Sequence, residues 1–466
     1  MNRSVLVGRR GWALTVAAAT LIAASAVAQM SPEVRAARAE RTEADYQATL
    51  KALGLGALRP GADGRNRNAP NAANYQEARS GPGAPLPPLL KMASGKTAKT
   101  PLDWRKRRAE IAELLEREVY GRVPASAPRL RWDRVAVERR RKGNIPVSTS
   151  RYLGRPSNTA PQASAFAAEL AVTLPATASK PVPIVIDLGF PEGFRFPGAP
   201  PQPQGQDWTE QVIERGWGYG ILVPSTVQPD DGAGLREGVI GYSAAGGARK
   251  ADEWGALRAW AWGASCALDL LLSDRQVDAQ RVAISGLSRY GKAALIAMAF
   301  DERFSIGLIG SSGAGGAKLL RRDFGERLEN LTASGEYHWF APNFLRYGGP
   351  LTVADLPVDS HSLIALAAPR PLFIGAGNFD ADGWVDPRGS FVAARAASEV
   401  YELLGMKGLV DGEYPTIGEL RAGGRIAFRQ HEGGHTNGPN WKAFIDFAES
   451  QWRGMQSPRR RKIPQR

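Results

Sequence analysis

The chain predicts an α/β fold, a three-layer sandwich with a largely parallel central sheet. Three observations carry that expectation. Short apolar runs with strand character alternate with helix-like segments along most of the length, the pattern of strands joined by crossover helices. One such run, Arg281-Val282-Ala283-Ile284, leads through Ser285-Gly286-Leu287-Ser288-Arg289-Tyr290-Gly291-Lys292 into the helix-like stretch Ala293–Phe300, so a serine stands at a tight strand-to-helix turn. With 466 residues, 43% of them hydrophobic, the chain has material for one large core or two ordinary ones.

At the N-terminus, Arg3, Arg9 and Arg10 accompany the mostly apolar stretch Trp12–Val27, and Ala26-Val27-Ala28 fits an A-x-A cleavage site. Residues 1–28 therefore read as an export signal, with a weak twin-arginine likeness at Arg9-Arg10-Gly11-Trp12. No other segment is long and apolar enough to span a membrane, so the mature protein is expected to be soluble and exported, periplasmic or extracellular. Residues 29–48 look helical, and residues 59–98, rich in Pro, Gly, Asn and Ala, read as an extended or mobile stretch. Together they make an N-terminal arm over 29–98. The main folded domain is placed at 99–453, with residues 454–466 as a basic tail.

Within that domain, Trp104–Arg117 is an amphipathic helix stopped by Gly121 and Pro124. Strands are expected at Ala168–Leu174, Val182–Leu188 and Tyr219–Val223, with a helix at Trp208–Arg215 between the last two. A tryptophan-rich helix follows at Glu253–Leu272; its Trp254, Trp260 and Trp262 recur at near-helical spacing and read as core. After the serine-bearing turn come strands at Ile306–Ile309, Pro371–Gly375 and Arg425–Phe428, and helices at Ser390–Leu404 and Asn440–Gln451. There is no internal repeat.

A serine on such a turn is how an α/β-hydrolase presents its nucleophile. Small neighbours let the backbone bend, and the helix N-terminus favours a developing negative charge. The match to G-x-S-x-G is incomplete: Gly286 is in place, Tyr290 holds the second glycine position, and Gly291 comes one residue later. A serine nucleophile needs a base, and the chain has four histidines, His338, His361, His431 and His435. Chain order in this fold runs nucleophile, acid, histidine, with the histidine in a loop after the last strand. His435, seven residues beyond Phe428 in a glycine-rich loop, fits better than His431, which directly adjoins the strand. Three aspartates compete for the acid after Pro371–Gly375: Asp380, Asp382 and Asp386. Asp382 is the choice, and Asp386, before Pro387, suits a helix cap. His338 and His361 sit in aromatic or apolar settings and read as packing or loop-ordering groups.

Other chemistries fit less well. His431-Glu432-Gly433-Gly434-His435 matches H-E-x-x-H, but zinc binding through that pattern needs a helix, which Gly433-Gly434 opposes. Asn378–Gly383 is similar to a calcium loop but lacks its first aspartate, and Gly389 stands at the closing glutamate. The single cysteine, Cys266, excludes an intrachain disulfide and reads as a small core hydrophobe. The formal net charge of +14 fits solubility and a loose attraction to acidic material; no nucleic-acid module is present, and none is expected as a partner. No metal or organic cofactor is expected.

Gly286-Leu287-Ser288-Arg289-Tyr290-Gly291-Lys292 resembles the G-x-S-R-x-G-K signature of the glucuronoyl esterases, carbohydrate esterase family 15. Glu116–Pro124, Ser312–Gly316, His338-Trp339-Phe340, Ala367–Pro371 and Trp384–Gly389 also fit that family in order, and the likeness covers roughly residues 100–453. It implies hydrolysis of esters between the glucuronic acid of xylan and lignin alcohols. It implies Ser288 as nucleophile, His435 as base, and Arg289 as an oxyanion donor through side chain and backbone N–H. Lys292 and Glu326 would bind sugar hydroxyls and Trp384 would line the site by the 4-O-methyl group. For Glu326 a solvated helix face is the competing reading. Many members carry the acid as a glutamate after the strand that follows the nucleophile helix; Ser311 stands there in this chain, so the likeness implies dependence on Asp382. Leu287 stands where several members have cysteine. An acetylxylan or general carboxylesterase on the same fold, and a non-catalytic exported carbohydrate-binding protein, are the competing functions. The oligomeric state is not readable from the chain.

Overall fold

The computed structural model describes residues 31–81, 83–157, 165–194, 207–244 and 249–456, the last without the side chains of Met455 and Gln456. The expected export signal and the end of the basic tail lie outside these residues. Ten strands form one sheet: β1 (Leu130–Lys142), β2 (Ile145–Pro156), β3 (Ala168–Pro175), β4 (Val182–Leu188), β5 (Gly218–Val223), β6 (Val277–Leu287), β7 (Ile306–Gly310), β8 (Leu372–Ala376), β9 (Leu420–Arg421) and β10 (Ile426–Gln430). Their spatial order is β1-β2-β3-β5-β4-β6-β7-β8-β10-β9. The run β5-β4-β6-β7-β8-β10 is parallel throughout, while β1, β2 and β3 join it antiparallel and β9 closes the other edge antiparallel.

The parallel strands are buried on both faces, and their side chains divide by the two-residue period of a strand. Ile184, Ile186 and Leu188 of β4, Leu372 and Ile374 of β8, and Ile426 and Phe428 of β10 enter one core. Val185, Phe373 and Ala427 enter the other. Each such side chain contributes about 1.5–3 kcal/mol on burial. The first core is covered by the helices Ala256–Ser273, Arg289–Phe300, Ser360–Leu366 and Pro387–Leu403; the second by Trp208–Glu214 and Trp441–Gln456. In the second, Trp208 and Trp441 stack with ring centroids 4.4 Å apart. Trp254 and Trp260 are buried, as the tryptophan spacing predicts, while Trp262 is only partly buried against the same core; Cys266 is buried too.

Two regions differ from the sequence reading. The long β1–β2 hairpin, turning at Gly143-Asn144 with Gly143 at φ 51°, is absent from the expected elements. The N-terminal segment is also more firmly held than a mobile arm. The helix Pro32–Ala52 places Tyr46 and Leu50 in the first core, and Leu89 joins them. Arg59 donates to the carbonyls of Gly349, Tyr347 and Leu351, and Arg107 to that of Leu89. Proline-rich composition here makes an irregular strap whose polar groups are satisfied by the domain it crosses.

Candidate functional site

Ser288 sits between β6 and the helix Arg289–Phe300, at φ 59° and ψ −131°, a conformation costly for a residue with a Cβ. Its neighbours make the bend feasible. A Cβ on Gly286 would run into the Tyr290 backbone, and one on Gly291 would come within 2.7 Å of the Gly310 carbonyl oxygen. Gly291 thus serves the close helix–strand approach from one position later than the usual pattern. The Ser288 N–H donates to Gly310 O at 2.9 Å, pinning the bend to the end of β7. The first intrahelical bond is donated by Lys292 N to Ser288 O at 3.0 Å, so the N–H groups of the preceding turn lack helical partners and favour negative charge.

His435 lies in the loop after β10. Asn437 of that loop donates to the Gly286 carbonyl at 3.2 Å, which sets the loop against the serine turn. The His435 Nδ1 is 2.7 Å from Asp382 Oδ1. Asp382 is fully buried, and its other oxygen accepts from Gly377 N at 2.8 Å and from Ser311 Oγ at 2.5 Å. Three donors thus converge on one carboxylate, an arrangement that holds Nδ1 protonated and leaves Nε2 as the acceptor. Ser311, at the end of β7 beside β8, stands where the resemblance expects a glutamate, and it turns its hydroxyl onto the acid of the next strand. Nothing in the sequence signals that bond, because it depends on the parallel pairing of two strand ends.

The competing groups lie elsewhere. Asp386 caps the helix Pro387–Leu403 by accepting from Gly389 N at 2.9 Å, and binds Arg322. Asp380 is exposed. His431 is buried with Nδ1 3.0 Å from the Asn440 amide, and burial lowers its pKa. Residues 431–435 are irregular rather than helical, so the H-E-x-x-H pattern does not bring its histidines to one helix face. His361 is bound to the Pro87 carbonyl.

On the other side of Ser288 the site is dense in charge. Lys292 is buried, with Nζ 3.8 Å from Glu326 Oε2 and 5.2 Å from the Trp339 ring centre. Glu326 is not on a solvated helix face: it belongs to an irregular segment, its side chain is 9% exposed, and Oε2 accepts from Ala314 N at 3.0 Å. Trp384 is partly exposed, its ring centre 5.1 Å from that of His435, and its carbonyl accepts from Glu326 N. Arg289 Nη1 lies 3.0 Å from Asp230 Oδ2. Burial works to raise the Asp230 carboxyl, but the hydrogen bond from His338 and the charge of Arg289 outweigh it and hold it below its ordinary value. Glu336, whose Oε2 has no hydrogen-bond partner among the described residues, is pushed up to about 8 by burial and by Glu326, against the pull of Lys292 and Arg289. Asp230 and Glu336 escape the sequence reading, since neither belongs to a motif. His338, read from the sequence as a packing or loop-ordering group, borders the site with Trp339.

A parallel sheet with a positive-φ serine turn at the end of β6, an acid after β8 and a histidine after β10 defines an α/β-hydrolase. Comparison with known proteins narrows the class. The family model described as "Glucuronyl esterase, fungi" matches residues 248–405. The solved structure of a glucuronoyl esterase of carbohydrate esterase family 15 from Teredinibacter turnerae is 42% identical, with a TM-score of 0.82 over 88% of this chain and 100% of that one. A carbohydrate esterase from an unknown prokaryotic organism is 30% identical over 83% of this chain and 93% of its own length. The 4-O-methyl-glucuronoyl methylesterase of Hypocrea jecorina is 27% identical over 69% of this chain and 63% of that protein. The chain belongs to the glucuronoyl esterases of carbohydrate esterase family 15, a family of carboxylic ester hydrolases.

Proposed function

We propose that this protein hydrolyses esters of glucuronic acid and its 4-O-methyl ether, as in lignin–glucuronoxylan linkages, by two-step acyl transfer at Ser288. The observation that carries this reading is the pairing of a buried Asp382 with His435, against a serine turn whose own helix bears Arg289 and Lys292. His435 Nε2 takes the Ser288 proton as Oγ adds to the ester carbonyl. The oxyanion is met by the Arg289 guanidinium and by backbone N–H groups at the start of the helix. When the tetrahedral intermediate collapses, the C–O bond to the alcohol breaks and His435 gives its proton to the leaving oxygen. Water, deprotonated by His435, then cleaves the acyl–serine ester and releases the uronate and Ser288. Lys292 and Glu326 bind sugar hydroxyls, and Trp384 packs by the 4-position. No step calls for a metal or organic cofactor.

The catalytic unit is read as residues 99–453 and the N-terminal arm as 29–98; of that arm, Tyr46, Leu50 and Leu89 pack into the domain's core. Export rests on residues 1–28; among the described residues, no helix is long and apolar enough to cross a membrane. The test is hydrolysis of benzyl glucuronate beside an acetyl ester. The uronate ester is expected to be the better substrate, and Ser288→Ala to lower kcat at least about a thousandfold. A preference for the acetyl ester would point to a general carboxylesterase. Activity surviving Ser288→Ala would sink the mechanism.

A further inference from the structure

Asp230, on the segment that follows β5, is wired to three side chains bordering the site. Its Oδ2 meets Arg289 Nη1 at 3.0 Å. Its Oδ1 accepts from Trp339 Nε1 at 2.6 Å and lies 3.1 Å from His338 Nε2. The His338 ring is 2% exposed. The Nε2–H tautomer gives that ring a charged acceptor and Asp230 a third partner. Both segments of this network are tied to the helix Pro32–Ala52. Arg38 forks onto Asp231 with two contacts of 2.7 Å and also reaches Glu237. Thr42 Oγ1 accepts from Ala233 N at 3.1 Å, and Tyr337, next to His338, donates to Asp45 Oδ2 at 2.8 Å.

We propose that Asp230 is the positioning residue for Arg289, and that the N-terminal helix fixes the two segments from which Asp230 is held. The inference rests on the reading of Arg289 as an oxyanion donor. The Arg289 side chain is 39% exposed, so without a partner it would sample many rotamers and lose that freedom at each turnover. The ion pair with Asp230 holds the guanidinium to one side and narrows the directions its rigid planar fork takes. A lone carboxylate beside an oxyanion donor would weaken it. Here the donors from Trp339 and His338 share the carboxylate's charge, so Asp230 orients the guanidinium without claiming it whole.

The test is a double-mutant cycle on benzyl glucuronate. Asp230→Asn, which keeps the shape, is expected to lower kcat about tenfold with KM nearly unchanged. In an Arg289→Met background the same substitution is expected to change kcat by less than about twofold. Arg38→Gln, remote from the reacting atoms, is expected to give a smaller loss that also vanishes with Arg289→Met, and it carries the cycle if Asp230→Asn does not fold. An Asp230→Asn loss that persists in full without Arg289, or one that falls on KM alone, overturns the proposal. An undiminished kcat in Arg289→Met by itself removes the oxyanion reading first and the proposal with it, a result seen before Asp230 is altered.

Discussion

The two flanks of Ser288 are built on different principles. On the histidine flank, the acid is matched: Asp382 is fully buried and accepts from His435, Ser311 and Gly377. On the sugar flank, Lys292, Glu326 and Glu336 crowd together, and one carboxylate oxygen of Glu336 lacks a partner among the described residues. The first is a finished network, which rigidifies what it holds. The second leaves a buried carboxylate oxygen unmatched beside the Lys292–Glu326 pair, as a surface meant to bind hydroxyl groups does. The contrast teaches that orientation and recognition make opposite demands on hydrogen-bond matching within a single pocket.

The largest expected effect tests the finished flank. Asp382→Asn keeps the shape but not the charge, and is expected to lower kcat about 10⁴-fold through the wrong histidine tautomer. Near-wild-type turnover would move the acid to another carboxylate and dissolve the contrast. Ser311→Ala removes one of the three donors on Asp382. A hydrogen bond to a charged acceptor is worth about 1.5–3 kcal/mol, so kcat is expected to fall roughly ten- to a hundredfold with KM little changed. An unchanged kcat in steady-state assays would make Ser311 a packing residue.

The smallest effect tests the unfinished flank through pH. The Glu336 carboxyl is raised to about 8, so the folded protein keeps a proton there that the unfolded chain has already lost. Stability from this group is accordingly expected to decline as pH rises from about 4.5 to about 8, then level off. Ionisation above about 8 also adds negative charge beside Lys292 and Glu326, so KM for the uronate ester is expected to rise a few-fold there. Glu336→Gln should flatten both the melting-temperature profile and the KM profile. An alkaline rise in KM that survives the substitution would assign it to another group.

The same contrast divides what the sequence makes legible. The histidine flank follows from chain order: in a parallel sheet the ends of successive strands meet, so a serine after β6, an aspartate after β8 and a histidine after β10 converge. The sugar flank comes from a long irregular segment, and Glu326 and Glu336 enter it through folds of the chain that no periodicity marks. Asp230 faces Arg289 only because β5 and β6 flank β4. The β1–β2 hairpin is hidden for another reason. It lies at the sheet edge with much of β1 exposed, so Arg139-Arg140-Arg141-Lys142 obscures the alternation, although Gly143-Asn144 is a hairpin signal. Ser311 is legible as a departure from the family pattern, but not as a donor to Asp382.

The clasp between Arg38 and the Asp231 segment has a practical side. The N-terminal helix precedes residues 99–453, the stretch that carries the sequence motifs, so an experimenter trimming by those motifs would begin near residue 99 and discard it. Such a shortened protein would keep the serine turn, Asp382 and His435. It would lose the fastening behind Arg289, and its slow turnover would be charged to the wrong substrate. Tags and appended binding modules belong ahead of Ser31, the residue that caps this helix.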